Sequence, residues 1–569
     1  MNRRQLLAST ALLMAPRLMA ASLPPLGAAQ LWTSYQAEAM ETTGAVLGPA
    51  YGPYRIENEA AHQTCVKLNK PGDYLRFTVN DRANTLLLRY CLPDAPDGGG
   101  LEDRLEVQVN GKKTAELALT SRFTWLYGDY PFSNNPKEAK PRHFFDDVVL
   151  RDIPLAKGDV VTLIKRGAAS FCVVDFVDLE LAPPPLPRPE EALALTDIPV
   201  EGGDYTRALR KLLADAARER KIAYIPPGDY TLTGDIEIPA HVTLQGAGMW
   251  HTRFNGDEEL YPEPSRRLRF KLTGEKSRLC DFALIGKLIY RNDNEQNDGI
   301  FGAGGRDCVV SRLWIEHTKV GMWFYLCRGI RIEGCRLRNT FADGINLCVG
   351  TSDCVIEDCS ARNTGDDCFA IWPAPSDQGF EAAGPVPGSN LIRRCTGELP
   401  FLAQGGAIYG GANNRIEDCL FRDIASGCGI LISTTFPTSD AKQDNNFTGE
   451  TIVGNCRLLR CGGYDHGWTW RGAFQVCLHH KDISGLRVRD LSIEDSFSDG
   501  LSIITAPDAK GRRLSDAVFT RVSIMGSAKA EAGHHDIYVA QGVTGAALFQ
   551  QSELGHVENA APGFALNRV

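Results

Sequence analysis

Residues 30–182 contain short runs in which apolar and polar residues alternate, a pattern typical of strands with one buried face. Two examples are 86–90 (LLLRY) and 105–109 (LEVQV), and turn signals such as Asn110-Gly111 separate the runs. Several short strands at this spacing predict an all-β domain of the β-sandwich (jelly-roll) type over 30–182.

After residue 197 the pattern changes to one helix followed by a long repeat. Residues 205–220 place apolar residues on one helical face. Further on, an apolar column recurs at steps of 22, 24, 36, 24, 37 and 35 residues, at Leu313, Cys335, Cys359, Cys395, Cys419, Cys456 and Leu491. This repeat predicts a right-handed parallel β-helix over 198–569, in which the longer steps are coils with inserted loops. The helix is expected to cap the open end of the β-helix.

The first 29 residues have the features of an export signal. Arg3-Arg4 precedes an apolar run of about 10 residues, which is too short to span a bilayer. The paired arginines favour a twin-arginine signal, and an ordinary secretory signal is the alternative. We therefore expect a periplasmic or secreted protein without a membrane anchor. The proline-rich segment 183–197 is interpreted as a linker between the two domains.

Composition adds two constraints. The 569 residues carry a net charge of −9, which argues against a nucleic-acid partner because phosphate binding needs clustered Lys and Arg. The 17 cysteines are an odd number, and those on the repeat column fit small buried apolar side chains better than disulfides. We expect a monomer whose cysteines are mostly unpaired.

Aspartates gather on two neighbouring coils of the predicted β-helix. The repeat register places Asp343 over Asp367, with Asp366 beside them, and Asn339 over Asn363. Adjacent coils are about 4.8 Å apart, so the stacked carboxylates should shift each other's pKa. Because like charges destabilise a sheet, we interpret the cluster as functional, and a structural calcium site is the competing interpretation. One acid and a second carboxylate that activates water are what inverting glycoside hydrolysis needs.

The segments around these aspartates resemble the active-site strip of β-helix glycoside hydrolases. Asp343-Gly344 on one coil and 365–371 (GDDCFAI) on the next share the layout of family 28 polygalacturonases and of family 87, the endo-α-1,3-glucanases or mycodextranases. This resemblance implies that Asp366 is the general acid and that Asp343 and Asp367 activate water. It implies no cofactor for catalysis.

Departures from the polygalacturonase pattern favour family 87. The next coils, 404–409 (QGGAIY) and 427–432 (GCGILI), lack the histidine and the basic residues with which polygalacturonases grip uronate carboxylates. We therefore expect a site without positive charge. The expected polysaccharide substrate is a neutral α-glucan, with α-1,3-glucan first.

The N-terminal domain resembles carbohydrate-binding modules of families 6, 35 and 36. The resemblance rests on 35–39 (YQAEA), 71–74 (PGDY) and 175–180 (DFVDLE). In those modules acidic residues of the first and last strands hold a structural calcium, and Glu38 and Asp178 are the matching positions. The resemblance implies a calcium site here, and solvated acids on edge strands are the alternative.

Several residues near the acids are candidates for binding sugar rings. They are Trp372, Gln404, Tyr464, Trp468 and Trp470, and the last three come from a Gly-rich insertion. Packing of Trp372 in the core is the alternative for that residue.

Three classes of function stay open. The first is an exported α-1,3-glucanase. The second is another β-helix enzyme that degrades polysaccharides, such as a dextranase, a polygalacturonase or a lyase. The third is a non-catalytic glycan-binding β-helix, which would leave Asp343, Asp366 and Asp367 unexplained.

Overall fold

The computed structural model describes residues 26–129, 132–133, 135–138, 142, 144–200, 202–373, 388–435, 447–465, 469–506, 509, 511–530 and 533–569. In these residues an antiparallel sandwich precedes a β-helix built of two long parallel sheets. The fold class predicted from the sequence is confirmed. Residues 1–25 of the predicted export signal lie outside the described residues, so that signal stays a prediction.

The sandwich consists of two packed sheets whose apolar side chains interdigitate. Its first sheet contains Trp32–Gln36, Ala45–Leu47, Cys65–Leu68, Ala83–Cys91, Asp146–Leu155 and Cys172–Glu180. Its second sheet contains Glu41–Thr42, Tyr74–Thr78, Glu102–Val109, Lys112–Thr120 and Val160–Lys165. Leu86, Leu88, Leu105 and Val107 are buried between the sheets, as their alternation predicts.

The β-helix has a long sheet of 21 strands among the described residues. These are Leu193–Ala194, Ala223–Ile225, Gly228–Leu232, Thr243–Gly246, Thr252–Gly256, Arg278–Ile285, Val309–Glu316, Arg331–Glu333, Arg336–Arg338, Val355–Glu357, Ser360–Arg362, Leu391–Arg393, Thr396–Glu398, Arg415–Glu417, Leu420–Arg422, Thr451–Leu459, Ile483–Ser484, Leu486–Glu494, Arg513–Met525, Thr544–Gln550 and Phe564–Arg568.

A second parallel sheet closes each coil, and it has 12 described strands. They are Asp235–Glu237, Arg269–Leu272, Gly299–Ala303, Met322–Tyr325, Ile345–Cys348, Phe369–Trp372, Gly406–Ile408, Ile430–Ser433, Phe474–Leu478, Leu501–Thr505, Ile537–Val539 and Val557–Asn559. Two short pairs lie outside these sheets, Gly411–Ala412 with Phe447–Thr448 and Tyr464–Asp465 with Thr469–Trp470.

The register predicted from the apolar column is confirmed. Arg336 pairs with Ser360, and Ser360 pairs with Thr396, so that Cys335, Cys359 and Cys395, each one residue earlier, lie on successive coils. All 17 cysteines are buried and free, in agreement with their interpretation as small apolar side chains. A continuous apolar core runs through the coils.

The one α-helix among the described residues, Thr206–Glu219, follows the first strand of the β-helix domain. Its apolar residues Leu209, Leu212 and Leu213 are buried in the same core as the coils, so the helix closes the end of the solenoid as predicted. The other helical turns in the described part of the chain are short 3₁₀ segments at Ala37–Ala39, Ile56–Glu59, Ala61–Gln63, Pro136–Glu138, Leu195–Asp197 and Pro264–Arg266. Within the described residues, no helix combines the length and the apolar character that crossing a bilayer requires.

The sandwich packs directly on the long sheet of the β-helix. Glu180 on its last strand forms a bidentate ion pair with Arg336, with N–O distances of 2.6 and 2.8 Å. Asp178 on the same strand accepts from Arg362 at 3.0 Å, and all four side chains are buried. Buried, charge-assisted contacts of this kind fix the two domains against each other.

The proline-rich segment 183–197 packs along the surface of the β-helix and is not a free linker. Leu186 donates its N–H to the carbonyl of Ala247 and accepts from the Tyr224 hydroxyl at 2.7 Å. Leu193–Ala194, inside the segment interpreted as a linker, already pairs in parallel with Ala223–Ile225. The first β-helix strand therefore lies within residues 183–197.

Candidate active site

The three aspartates lie on the turns that lead into two neighbouring strands of the second sheet. Ile345 pairs with Phe369, and Asp343 and Asp367 each come two residues earlier, so they occupy the same column on adjacent coils. The turns begin at Asn339 and Asn363, which adopt positive φ values of 51° and 57°. Asparagine tolerates this left-handed conformation better than most residues.

A hydrogen bond between two asparagines joins the two turns that carry the acids. Asn363 Nδ2 donates to Asn339 Oδ1 at 2.8 Å, as the predicted stacking requires. Asn363 also donates to the carbonyl of Phe145 in the sandwich at 2.5 Å. Asn363 thus ties the turn of Asp366 and Asp367 both to the turn of the adjacent coil and to the N-terminal domain.

The three carboxylates converge. One oxygen from each of Asp343, Asp366 and Asp367 lies within 4.8 Å of the others. Asp343 and Asp367 are buried, whereas the side chain of Asp366 retains 24% of its exposure. Asp366 is therefore the carboxyl that is most open to a ligand.

Each buried acid is held by a neighbour on its own coil or the next. Asp343 Oδ2 accepts from Asn346 Nδ2 at 3.2 Å. Asp367 Oδ2 accepts from the Tyr409 hydroxyl at 2.8 Å, and its Oδ1 accepts from the backbone N–H of Gln404 at 3.1 Å. These donors fix the orientation of both carboxyls.

Burial makes the stacked pair hold protons tightly. The pKa of Asp343 is raised to about 8, mainly by burial and secondly by the negative charge of Asp366. Burial, and then Asp366 and Asp343, raise the pKa of Asp367 well above its usual range, although the Tyr409 hydroxyl opposes the shift. At neutral pH the pair therefore retains a proton.

The raised pKa of Asp343 predicts a stability effect with a definite sign. Between the unfolded value near 4 and the folded value of about 8, the folded state binds more protons, so stability falls as pH rises. We expect Asp343→Asn to stabilise the fold at pH 8 by about 1–3 kcal/mol, with the gain shrinking towards pH 4. Thermal unfolding at both pH values measures this, and a gain that is equal at pH 4 and 8 would contradict it.

Asp490→Asn is the matched control for this measurement. The hydrogen bond from Arg521 lowers the pKa of Asp490, which is the opposite direction from Asp343. Asp490 and Arg521 are exposed, so the substitution should change stability by less than about 1 kcal/mol.

The acids open into a cavity of about 290 Å³ on the second sheet. Besides the aspartates, its lining includes Arg291, Asp293, Glu295, Lys319, Trp323, Asn346, Trp372 and Tyr409. A cavity with convergent polar groups and an aromatic wall suits a sugar chain.

The expectation of a site without positive charge was wrong, because a loop outside the repeat supplies cations. Arg291 lies between the strands Arg278–Ile285 and Gly299–Ala303, where no repeat register predicts its position, and Lys319 lies on the following turn. Both cations are bonded to the protein. Arg291 donates to Asp366 at 2.6 Å, and Lys319 donates to the carbonyls of Asn292 and Glu295.

Tyr409 was also missed, although the register could have identified it. Ile371 pairs with Ile408, so Tyr409 occupies on the next coil the position that Trp372 has on the coil of Asp366 and Asp367. An aromatic hydroxyl one coil after the Asp-Asp pair is the only sequence signal for it.

The predicted sugar-binding residues divide into two groups. Trp372 lines the cavity and meets Trp323 edge-on, with ring centroids 5.6 Å apart. Gln404 is buried, and its Oε1 accepts from the backbone N–H of Cys428 at 2.6 Å, so its side chain supports the next coil instead of lining the cavity. 

Of the aromatic insertion, the described residues Tyr464 and Trp470 are not part of the cavity lining. Tyr464 and Trp470 pack edge-on against each other, with ring centroids 5.2 Å apart, and Trp470 meets His534. Trp468 lies outside the described residues. Sugar binding by these three residues stays a prediction.

A structural calcium at Glu38 and Asp178 stays a prediction, and both side chains already have partners within the protein. Asp178 accepts from the Ser34 hydroxyl at 2.5 Å and from Arg362 at 3.0 Å, so both its oxygens have partners. Glu38 faces His62 at 3.3 Å. In the part of the chain that the structure describes, Asp343, Asp366 and Asp367 form the one group of three or more His, Cys, Asp or Glu side chains whose ligand atoms lie close enough together to hold an ion.

Comparison with known proteins identifies both domains. The family model of the α-1,3-glucanase catalytic domain D1 matches residues 31–182, and that of domain D2 matches residues 204–525. The N-terminal sandwich thus corresponds to a part of a catalytic unit. No curated protein matches the chain in a sequence search.

Solved structures of similar fold cover nearly the whole chain. The Agl-KA catalytic domain is 25% identical with a TM-score of 0.86, and the match covers 96% of this chain and 98% of that one. The catalytic unit of a thermostable α-1,3-glucanase from Streptomyces thermodiastaticus is 27% identical with a TM-score of 0.81, covering 95% and 96%. An α-1,3-glucanase catalytic domain in complex with nigerose is 22% identical with a TM-score of 0.81, covering 95% and 99%, and aspartate-to-alanine variants of it have also been solved. The chain belongs to glycoside hydrolase family 87, the α-1,3-glucanases.

Proposed function

We propose that this protein hydrolyses α-1,3-glucan with inversion, with Asp366 as the general acid and Asp343 and Asp367 activating water. The observation that carries the proposal is the convergence of three carboxylates, within 4.8 Å, on the cavity. A lyase and a non-catalytic binding protein, which the sequence left open, are excluded because the chain is a glycoside hydrolase.

The exposure of the three acids supports this division of roles. Asp366 is the partly exposed carboxyl, so it is the one best able to reach a glycosidic oxygen. Asp343 and Asp367 are buried as a stacked pair, and their raised pKa makes whichever carboxylate of the pair is ionised a stronger base than an ordinary aspartate.

The proton balance of the reaction closes within the cluster. The proton that the cluster retains moves from the Asp343–Asp367 pair to Asp366 in the reactive complex, and Asp366 gives it to the leaving oxygen as the glycosidic bond breaks. The pair, now ionised, takes a proton from the water that attacks the sugar carbon. The proton gained by the pair restores the protonation state from which the cluster started.

The solved aspartate variants of the 22% identical α-1,3-glucanase support the same three positions. The three substituted aspartates in that protein are separated by 23 residues and by one residue, which are the separations from Asp343 to Asp366 and from Asp366 to Asp367. Nigerose and tetrasaccharides are bound in those structures.

The distance between the acids bears on whether the reaction inverts or retains the configuration at the sugar carbon. Inverting glycosidases usually separate their carboxyl groups by about 6.5–9.5 Å and retaining enzymes by about 5–5.5 Å. The closest oxygens here lie within 4.8 Å, a separation nearer to that of retaining enzymes. We propose inversion because two stacked carboxylates hold one water between neighbouring coils, with the third acid left for the leaving group.

Proton NMR of digests tests substrate and stereochemistry together. The enzyme is mixed with α-1,3-linked glucose oligosaccharides, dextran, starch or polygalacturonate, and the anomer that forms first is recorded. We expect cleavage of the α-1,3-linked substrate, with the β-anomer appearing first. First appearance of the α-anomer would establish retention and an aspartate nucleophile. Cleavage of dextran or polygalacturonate alone would contradict the substrate.

A further inference from the structure

A buried arginine from outside the repeat joins the two turns that carry the acids. Arg291 Nη1 donates to the carbonyl of Gly365 at 2.7 Å and to the carbonyl of Phe341 at 3.4 Å. Phe341 and Gly365 occupy equivalent positions on adjacent coils, each two residues before a catalytic aspartate. One nitrogen therefore bridges both turns.

The rest of the guanidinium holds two carboxylates. Its Nη2 donates to Asp366 Oδ2 at 2.6 Å, and Nε donates to Asp293 Oδ1 at 2.8 Å. The Arg291 side chain is only 5% exposed, although it lines the cavity. Asp293 on its own loop thus anchors the fork that holds Asp366.

We propose that Arg291 is a positioning residue that locks the Asp343 and Asp366–Asp367 turns in register and fixes the Asp366 carboxyl in the cavity. This inference rests on the proposed function, in which Asp366 is the general acid. Arg291 acts through Asp366 and the turns, and the inference gives it no contact with the reacting atoms.

The planar fork explains why an arginine occupies this position. Binding two carbonyls and two carboxylates at once needs several donors at fixed angles, which a guanidinium supplies. Lysine brings the same charge with a single nitrogen, so it can balance the carboxylates but cannot bridge both turns and hold Asp366. Charge and geometry can therefore be separated by substitution.

Arg291 also opposes the negative charge of the cluster. The groups that face it are Asp293 and Glu295 on its own loop, Lys319 on the next coil, and the aspartates and Tyr409 across the cavity. Burial and Asp366 raise the pKa of Asp343, whereas Arg291 lowers it. Removal of the guanidinium should raise the pKa of Asp343 further, so a higher pH is needed to ionise the base.

Three variants separate these effects. Arg291→Met removes charge and donors, Arg291→Lys keeps the charge, and Arg312→Met is the control. Arg312 also bridges two coils, with bonds of 2.6 and 2.8 Å to Asp281, but it lies outside the cavity lining. Each variant is checked by thermal unfolding before kinetics on α-1,3-linked glucose oligosaccharides over a range of pH.

For Arg291→Met we expect kcat to fall about 100-fold, as for a misplaced catalytic group, with KM nearly unchanged. The acidic limb of its pH profile should move up by about one pH unit. Arg291→Lys should lose kcat with the limb in place, and Arg312→Met should match the wild type. A folded Arg291→Met with wild-type kcat and pH profile would overturn the proposal, and so would a change confined to KM.

A titration without substrate keeps this inference separate from the proposed function. The carboxyl ¹³C signals of labelled aspartates are followed with pH, and Asp343 is assigned by its loss in Asp343→Asn. If the wild type cleaves no α-1,3-glucan, the proposed function fails, and the titration still decides the role of Arg291. A pKa of Asp343 that does not rise in Arg291→Met overturns the inference. If Arg291→Met does not fold, Arg291→Lys with wild-type kcat overturns it.

Discussion

Asp366→Asn is expected to lower kcat on α-1,3-linked glucose oligosaccharides by about 10²–10⁴-fold, the usual contribution of a general acid. Asparagine keeps the size of the side chain and can still accept from Arg291, which donates to Asp366 at 2.6 Å. The fold should therefore survive while the proton for the leaving oxygen is lost. The effect is measured by release of reducing ends at saturating substrate.

A substrate that needs no protonation distinguishes the acid from the base. With an α-glucosyl fluoride the leaving group departs unaided, so Asp366→Asn should recover most of its activity. Asp343→Asn and Asp367→Asn should stay inactive, because water still has to be activated by the pair. Equal recovery in all three variants would contradict the assigned roles.

Asp358→Asn is the matched control for Asp366→Asn. Asp358 is an exposed turn residue on the same coil as Asp366. Its carboxylate accepts from Arg394 at 2.8 Å. It lies outside the cavity lining, so its substitution should leave kcat unchanged. If Asp358→Asn and Asp366→Asn lost the same activity, the loss would have to be attributed to the coil and not to a catalytic acid.

Arg362→Met is expected to destabilise the protein by about 3–5 kcal/mol, because it leaves the buried Asp178 without its cationic partner and removes one of the two arginines that pair with the buried Glu398. Arg362 Nη1 donates to Asp178 of the sandwich at 3.0 Å, and its Nε donates to Glu398 of the next coil at 2.7 Å. Its guanidinium also lies over the rings of Trp32 and Phe176. The substitution breaks the contact between the domains at its centre.

Thermal unfolding and limited proteolysis measure this prediction. The melting temperature of Arg362→Met should fall by several degrees, and the sandwich should be cleaved from the β-helix more readily. Arg521→Met is the control, since Arg521 pairs with Asp490 on the exposed surface, where such pairs contribute about 0–1 kcal/mol. Equal melting of Arg362→Met and wild type would mean that the buried pair does not hold the domains together.

The interface also explains why the sandwich is part of the catalytic unit. Asn363, at the start of the turn that carries Asp366 and Asp367, donates to the carbonyl of Phe145 and accepts from Arg89, both in the sandwich. The N-terminal domain thus contacts the turn that carries the acids. The resemblance of this domain to carbohydrate-binding modules predicted a β-sandwich, but it did not predict the contact with Asn363.

The acid cluster could be predicted because the repeat shows which residues of neighbouring coils are aligned with each other. Each coil pairs with the next, so the step between Cys335 and Cys359 also relates Asp343 to Asp367. The pattern of apolar residues then predicts which polar residues are neighbours in space. Trp372, on the strand that follows the acids, was a candidate for sugar binding with core packing as the alternative, and it lines the cavity.

Residues outside the repeat could not be placed in this way. Arg291 comes from an inserted loop, and nothing in its local sequence specifies the two coils that it bridges. Gln404 shows the opposite error, because its coil was predicted correctly but its side chain turns towards Cys428. Register determines the column of a residue and leaves its rotamer to the packing around it.

The β-helix, its register and the stacking of Asp343 on Asp367 could be predicted from the amino-acid pattern, because the coils must align their periodic apolar residues to bury a common core. The charge of the site and the attachment of the sandwich became apparent only in the folded protein. Arg291 reaches Asp366 across 75 residues of sequence, and Arg362 reaches Asp178 across 184. Contacts between segments so far apart depend on how loops and domains pack, and no local pattern in either segment records them.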